Sequence, residues 1–249
     1  MSTEIAVIVG ASGAFGQAIA RRVAARGLAV LAVGRRQDEL RALTSGLPGA
    51  RFCLADLADD GAIAAIAPHL DAPVRLAVHA PGVATAGGVL DAPTAAVVEA
   101  VNIKVGGMMR LARAVDAHLI QGSRLVAIGG HYGFEPTAYA ATAGVCNAAL
   151  ANLMRQFSWA LGPRGVTAHL IAPGPADTDR LRRVAESRAR QRGIDLDMVL
   201  EEMRGESAIH AFTTPEQVAW AVALLADPEA DALAGSALML DSGRRRGLP

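Results

Sequence analysis

The stretch Gly10-Ala11-Ser12-Gly13-Ala14-Phe15-Gly16 decides the fold, because of where it stands in the chain. It follows the apolar run Ile5–Val9, which is typical of a buried strand, and it opens a helical pattern near residues 15–26. Gly10 permits a tight turn, small residues let backbone N–H groups approach a pyrophosphate at the helix N-terminus, and Gly16 allows close packing of the helix on the sheet. We therefore predict a dinucleotide site at this turn, formed by Gly10, Ser12, Gly13, Phe15 and Gly16. A tight turn without a ligand is the alternative.

Short apolar runs recur along the chain and alternate with helical patterns. The runs predict strands at Ile5–Val9, Leu28–Val33, Arg51–Leu54, Val74–Val78, Arg124–Ile128, Val166–Ile171 and Ala237–Leu240. The helical patterns lie near residues 15–26, 37–45, 59–68, 92–119, 137–161 and 214–226. This alternation, without any break in composition, predicts one α/β domain over residues 1–249: a doubly wound parallel sheet of about seven strands between two layers of helices.

One segment interrupts this rhythm. Residues 179–212 are rich in Arg, Glu and Met and precede the final predicted helix. We predict a substrate loop or lid there, and surface helices with solvated charges are the alternative.

The composition excludes several classes of protein. The chain has 249 residues, 52% of them hydrophobic, and its 24 Lys and Arg balance its 24 Asp and Glu. That balance argues against nucleic acid or an anionic membrane as the main partner. No apolar run is long enough to span a bilayer, and a strand-like run near the start leaves no room for a signal peptide. Cys53 and Cys146 give neither a disulfide framework nor metal spacing. We expect a cytoplasmic protein with a small-molecule substrate and no metal.

The end of the second predicted strand, Gly34-Arg35-Arg36, bears on the choice of cofactor. Sites for NAD(H) usually place a carboxylate here, which accepts a hydrogen bond from a ribose hydroxyl. This chain instead has Arg35 and Arg36, whose guanidinium groups can pair with a 2′-phosphate. We therefore predict NADP(H) rather than NAD(H). The alternative is that both arginines only begin a solvent-facing helix.

Further motifs follow in a recognisable order along the whole chain. They are Asp56-Leu57, Ala80-Pro81-Gly82, Asn102, Pro173-Gly174 with Thr178, and Leu240-Asp241-Ser242-Gly243. Together with the glycine turn, this order resembles the short-chain dehydrogenase/reductase family and implies a Rossmann-type fold. The resemblance implies that Asp56 and Leu57 contact the adenine. It also implies that Ala80 and Gly82 line the cofactor and that Pro173, Gly174 and Thr178 hold the nicotinamide. Asn102 matches the asparagine of the family's proton relay.

The usual catalytic residues do not match. The family has a Ser after the fifth strand and, on the next helix, a Tyr followed four residues later by a Lys. An alignment without gaps up to Pro173 places Gly130, Ala143 and Asn147 at these positions. Alanine cannot transfer a proton, and asparagine can hydrogen-bond a ribose hydroxyl but carries no charge. Of the relay only Asn102 remains.

Other residues could replace the lost relay. Tyr139 lies one helical turn before Ala143 and could reach the vacated space if the helix begins early, and an aromatic at the entrance is the alternative. His131 could exchange protons near pH 7, or could simply bond to backbone at the strand end. Lys104 is the only lysine and points about 200° away from Asn102 on a helix, which indicates a structural or surface residue. The Arg244-Arg245-Arg246 tail indicates a solvated end.

Two functions fit these residues. The first is an NADP(H)-dependent oxidoreductase that uses an altered proton relay on a small or conjugated carbonyl-like substrate. Ala143-Gly144 and Ala172-Pro173-Gly174-Pro175 look similar to the dienoyl-CoA reductases of the family, which lack the tyrosine. The second is a nucleotide-binding protein without redox activity, such as a sensor, a partner subunit or a non-redox enzyme. The resemblance also implies a homodimer or homotetramer joined by the helices near 92–119 and 137–161.

Overall fold

A computed structural model describes residues 4–84 and 87–247. Its seven strands form one parallel sheet in the order β3-β2-β1-β4-β5-β6-β7. The strands are β1 (Ile5–Val9), β2 (Ala29–Gly34), β3 (Arg51–Leu54), β4 (Val74–His79), β5 (Leu119–Ile128), β6 (Thr167–Pro173) and β7 (Ala237–Leu240). The predicted fold class is confirmed.

Helices cover both faces of the sheet. They are α1 (Ala14–Ala24), α2 (Gln37–Ser45), α3 (Gly61–Ile66), α4 (Thr94–Val101), α5 (Gly107–Val115), α6 (Ala141–Leu161), α7 (Asp179–Arg192), α8 (Leu196–Gly205) and α9 (Pro215–Leu224). Val7, Leu111 and Leu150 belong to the core on the α5 and α6 side of the sheet. Ile8, Ile19 and Val222 belong to the core on the α1 and α9 side. Because successive side chains of a strand point to opposite faces, β1 contributes to both cores.

The strand order reverses between β1 and β4, and this reversal positions the site. Strand β1 pairs with β2 on one side and with β4 on the other, so the connections that leave these two neighbours go to opposite sides. In sheets of this kind a crevice opens beyond the carboxyl ends of the two central strands. Hydrogen bonds from Gly10 N to Val33 O and from Ala80 N to Val9 O hold the chain at both walls of this crevice.

The helix predicted near 92–119 is interrupted. Helix α4 passes into a π-helical turn over Asn102–Gly106, and α5 follows directly. The wider turn alters the direction of the side chains relative to a continuous α-helix. Lys104 is therefore buried, with 4% of its surface exposed, and its Nζ donates to Ile128 O at 2.7 Å. Of the two positions predicted for Lys104, structural or surface, the surface position is wrong.

Residues 179–212 form two helices, α7 and α8, with a small core of their own. Ala185, Val199 and Met203 are buried there, and Phe212 packs against them. Some charges of α7 and α8 are exposed, for example the ion pair of Arg192 with Glu202, whereas Arg180 and Arg188 of α7 contact the rest of the chain at Val83 and Tyr139. A role of this segment as a lid stays a prediction.

Among the described residues, no helix is both long enough and apolar enough to cross a membrane. In the same part of the chain no group of His, Cys, Asp and Glu has the arrangement of a metal site. Cys53 and Cys146 are buried free thiols.

The contact of α1 with the first turn can be tested at Gly16. A Cβ atom added there would lie 2.6 Å from Ala11 Cα, too close for a side chain. We expect Gly16→Ala to lower the free energy of unfolding by about 1–3 kcal/mol, measured by urea denaturation. Gly205→Ala is the control, because a Cβ there meets nothing within 4 Å in α8. Equal stability of the two variants would contradict the close contact.

Candidate functional site

The turn between β1 and α1 has the form needed to hold a phosphate. Gly10 has φ +77°, and a Cβ there would approach Pro81 N to 3.0 Å. The first amides of a helix have no partner within it, and no acidic residue stands in the first turn of α1. Ser12 and Gly13 complete the turn next to Gly16. The side chain of Phe15 packs against the core, so Phe15 offers only its backbone to a ligand.

Two guanidinium groups lie beside this turn. The Nη2 atom of Arg36 donates to Ser12 O at 2.9 Å and to Ser12 Oγ at 3.1 Å. Arg35 forms an ion pair with Asp56 at 3.3 Å, and 72% of its side chain is exposed. The structure therefore brings Arg36 to the glycine turn and Arg35, the preceding residue, to Asp56 in the loop after β3; Arg36 also pairs with Glu39 at 3.1 Å. Leu57 is buried, and its carbonyl accepts a hydrogen bond from Arg110 at 2.8 Å.

The predicted nicotinamide end lies beyond β4 and β6. Ala80 and Gly82 follow β4, and Pro173 is the last residue of β6. Gly174 N donates to Leu240 O, which ties this loop to β7. Thr178 caps α7, because its Oγ1 accepts from Leu181 N at 3.5 Å. These residues share the carboxyl edge of the sheet with the glycine turn.

Gly130 and Asn147 lie together at this edge. A Cβ on Gly130 would be 2.9 Å from Asn147 Nδ2. Asn147 is 5% exposed, and its Oδ1 has no hydrogen-bond partner among the described residues. A buried acceptor without a donor is costly, so a ligand hydroxyl at this point would satisfy it. The neighbouring Ala143 is buried and carries no titratable group. Together with the phosphate turn and the two arginines, this orphaned oxygen fits a dinucleotide.

Asn102 is held elsewhere. Its Nδ2 donates to Ala58 O at 3.1 Å, and its Oδ1 accepts from Arg110 at 2.9 Å. Within residues 4–84 and 87–247, no hydrogen bond joins its side chain to Asn147. The side chain of Asn102 therefore anchors the loop after β3.

His131 faces the protein interior. Burial lowers its pKa to about 4, although the Pro173 carbonyl acts in the opposite direction. The ring is therefore neutral near pH 7, and its Nε2 has no partner among the described residues. This placement favours the interpretation as a strand-end histidine bonded to backbone.

Tyr132 and Tyr139 form a hydrogen-bonded pair in the segment between β5 and α6. The hydroxyl oxygens of Tyr132 and Tyr139 are 2.7 Å apart, and the Arg188 guanidinium lies 5.4 Å from the Tyr139 ring centre. Helix α6 begins at Ala141, so Tyr139 precedes it, and the predicted earlier start of the helix is wrong. Tyr139 lies in a turn just before α6, with 45% of its surface exposed.

The pKa values of the two phenols are shifted in opposite directions. Burial raises the pKa of Tyr132 to about 12, and its hydrogen bond to Tyr139 acts in the same direction. Burial also raises the pKa of Tyr139, but hydrogen bonds from Tyr132 and Arg244 and the charges of Arg244 and Arg188 outweigh it and lower the pKa. Tyr139 is therefore the phenol that ionises first.

Sequence reasoning missed Tyr132 and misplaced the tail. Arg244 is 13% exposed and pairs with Glu206, so a solvated end is wrong for this residue. Arg188 comes from α7 and Arg244 from the C-terminal segment. Only the fold brings them to Tyr139, and no local pattern could have signalled it.

The tyrosine pair can be tested by titration, because the chain has only two tyrosines. We expect tyrosinate absorbance to rise in two separate steps, one below the ordinary pKa and one near 12. Tyr132→Phe leaves Tyr139 alone and should raise its pKa, because one stabilising hydrogen bond is lost. Arg244→Ala should do the same. A single step at the ordinary pKa in the folded protein would contradict the pairing.

Comparison with known proteins agrees with this architecture. The family model described as "Enoyl-(Acyl carrier protein) reductase" matches residues 10–245. The chain is 30% identical over 253 residues to the short-chain reductase protein NovJ of Streptomyces niveus, covering 97% of this chain and 94% of that protein.

Solved structures show the same fold. One is an NADPH-bound short chain oxidoreductase from Pseudomonas aeruginosa PAO1 containing an atypical catalytic center, with 22% identity, a TM-score of 0.86 and 98% coverage of both chains. Another is L-sorbose reductase from Gluconobacter frateurii in complex with NADPH and L-sorbose. It has 22% identity, a TM-score of 0.90 and coverage of 100% of this chain and 98% of that one.

Proposed function

The chain belongs to the short-chain dehydrogenase/reductase family, and on that premise we propose that it is an NADP(H)-dependent oxidoreductase acting on a small or conjugated carbonyl-like compound. The observation that carries the proposal is the hydrogen-bonded placement of Arg36 over Ser12, next to Arg35, at the turn where a dinucleotide would lie. The NADPH in the two solved structures named above supports the same choice of cofactor.

Different residues around the crevice would bind different parts of the cofactor. The amides at the start of α1 would hold the pyrophosphate, and Arg35 and Arg36 would pair with the 2′-phosphate. Asn147 Oδ1 would accept from a hydroxyl of the nicotinamide ribose. When bound, the cofactor supplies or accepts the hydride.

We assign the cofactor preference to Arg35 and Arg36 and expect it to be measurable. Changing either residue to alanine should weaken NADPH binding about tenfold or more, because a charge-assisted hydrogen bond to phosphate is lost. NADH binding should change little, since NADH has no 2′-phosphate. Fluorescence titration of both nucleotides measures this difference.

Arg41→Ala is the matched control, because Arg41 is an exposed arginine on α2, the helix that follows Arg36. An equal loss of NADH and NADPH affinity would show that the two arginines shape the turn rather than select the phosphate. If the unmodified chain binds neither nucleotide, the oxidoreductase proposal fails. Binding without turnover would favour the protein without redox activity.

We propose Tyr139 as the group that gives the proton to the substrate. Gly130 and Ala143 carry no titratable side chain, while Tyr139 is a partly exposed phenol of lowered pKa. Proton release would leave a tyrosinate that accepts a hydrogen bond from Tyr132 and faces Arg188 and Arg244. Exposure of Tyr139 to solvent allows water to restore the proton.

Removal of this phenol should lower turnover. With a substrate found by screening conjugated carbonyl compounds for NADPH oxidation, we expect Tyr139→Phe to reduce kcat by about 100-fold or more, the usual size of general acid catalysis. Tyr132→Phe should shift the pH profile upward rather than abolish activity. Unchanged NADPH affinity is the control for folding in both variants. Full activity of Tyr139→Phe would show that water protonates the product.

A further inference from the structure

The side chain of Arg180 connects the start of α7 with the segment after β4. It stands in the first turn of α7, which follows β6, and its Nη2 donates to Val83 O in the segment after β4. The Nη1 atom would lie 3.0 Å from a Cβ on Gly82. Because β5 lies between β4 and β6 in the sheet, we expect a side chain that reaches from the start of α7 to the segment after β4 to lie near the carboxyl end of β5, the strand that leads to Gly130.

A second cation lies under the same strand end. Lys104 Nζ donates to the carbonyl of Ile128, the last residue of β5. Cys146 packs with Val83, the residue whose carbonyl Arg180 binds. Burial lowers the pKa of Lys104 to about 8; the nearby Cys146 sulfur acts in the opposite direction, and the charge of Arg180 acts in the same direction as burial. The two cations are thus near enough to repel each other.

No carboxylate compensates this pair. Among the described residues, neither Arg180 nor Lys104 forms an ion pair with an acidic side chain. The nearby Arg183 adds a further positive charge that lowers the pKa of Arg180 beyond the effect of burial. Like charges gathered without a counter-ion are unfavourable, so the geometry favours an anion bound from outside the chain.

We infer that Arg180, backed by the charge of Lys104, binds a carboxylate of the substrate beside Gly130. This inference rests on the proposed function and narrows its substrate class to conjugated carboxylic acids. A guanidinium suits a carboxylate because its planar donors match the two oxygens. Arg180 is an exposed residue, and among the described residues the hydrogen bond printed for its guanidinium is the one from Nη2 to Val83 O, which leaves Nη1 and Nε for a carboxylate.

The test compares acids with their uncharged amides, which have nearly the same shape. Cinnamate, cinnamamide, crotonate and crotonamide are titrated calorimetrically into the full chain, with and without NADP⁺. We expect each acid to bind about tenfold more tightly than its amide, the usual size of one charge-assisted hydrogen bond. Arg180→Ala should remove this preference, and Arg180→Lys should restore part of it. Arg190→Ala, an exposed change on the same helix, should leave it intact.

Equal binding of acids and amides, or no binding of either acid, would overturn the inference. So would a loss of NADP⁺ affinity in Arg180→Ala with the preference for acids unchanged, since Arg180 would then serve the cofactor. Failure of the proposed function gives a different result: NADP⁺ does not bind, while the preference for acids persists in the cofactor-free chain.

Discussion

The contact between Gly16 and the turn of Gly10 and Ala11 is the constraint on which the site depends. Because neither glycine has a side chain, α1 begins directly against the end of β1, and the turn lies against Pro81. A bulkier residue at Gly16 would push the helix start away from the strand, and with it the amides that face a phosphate. The arginines after β2 gain their positions from the same turn, since Arg36 bonds to Ser12.

Much of this architecture could be predicted from the sequence, because parallel strands buried on both faces appear as short continuous apolar runs. The bounds of β1, β3 and β7 agree with the predicted ones to the residue. The interruption at Asn102–Gly106 could not be predicted, because a π turn depends on packing rather than on a distinctive local pattern. The position of Lys104 was missed for the same reason. The group of Tyr132, Arg188 and Arg244 was missed because its members come from three distant segments.

The chemistry of the site follows from charge rather than from a single reactive side chain. Phenols and guanidinium groups lie near the segment that follows β5, where Gly130 contributes no side chain. Both phenols lie near the charges of Arg244 and Arg188, but only Tyr139, which is partly exposed, also accepts a hydrogen bond from Arg244, so a lowered pKa and accessibility coincide there. His131, although close in sequence, is buried, and burial lowers its pKa to about 4, so its ring is neutral near pH 7.

Burial of the single lysine has a consequence for handling the protein. Lys104 is almost inaccessible, so reagents that acylate or cross-link lysine side chains have no exposed lysine to modify. The side chains of permanent positive charge are arginines, whose guanidinium groups keep their proton, and so remain unreactive, in the working pH range of such reagents. Immobilisation or fluorescent labelling through lysine would require opening the fold, and Lys104 acylation would then report unfolding rather than surface chemistry.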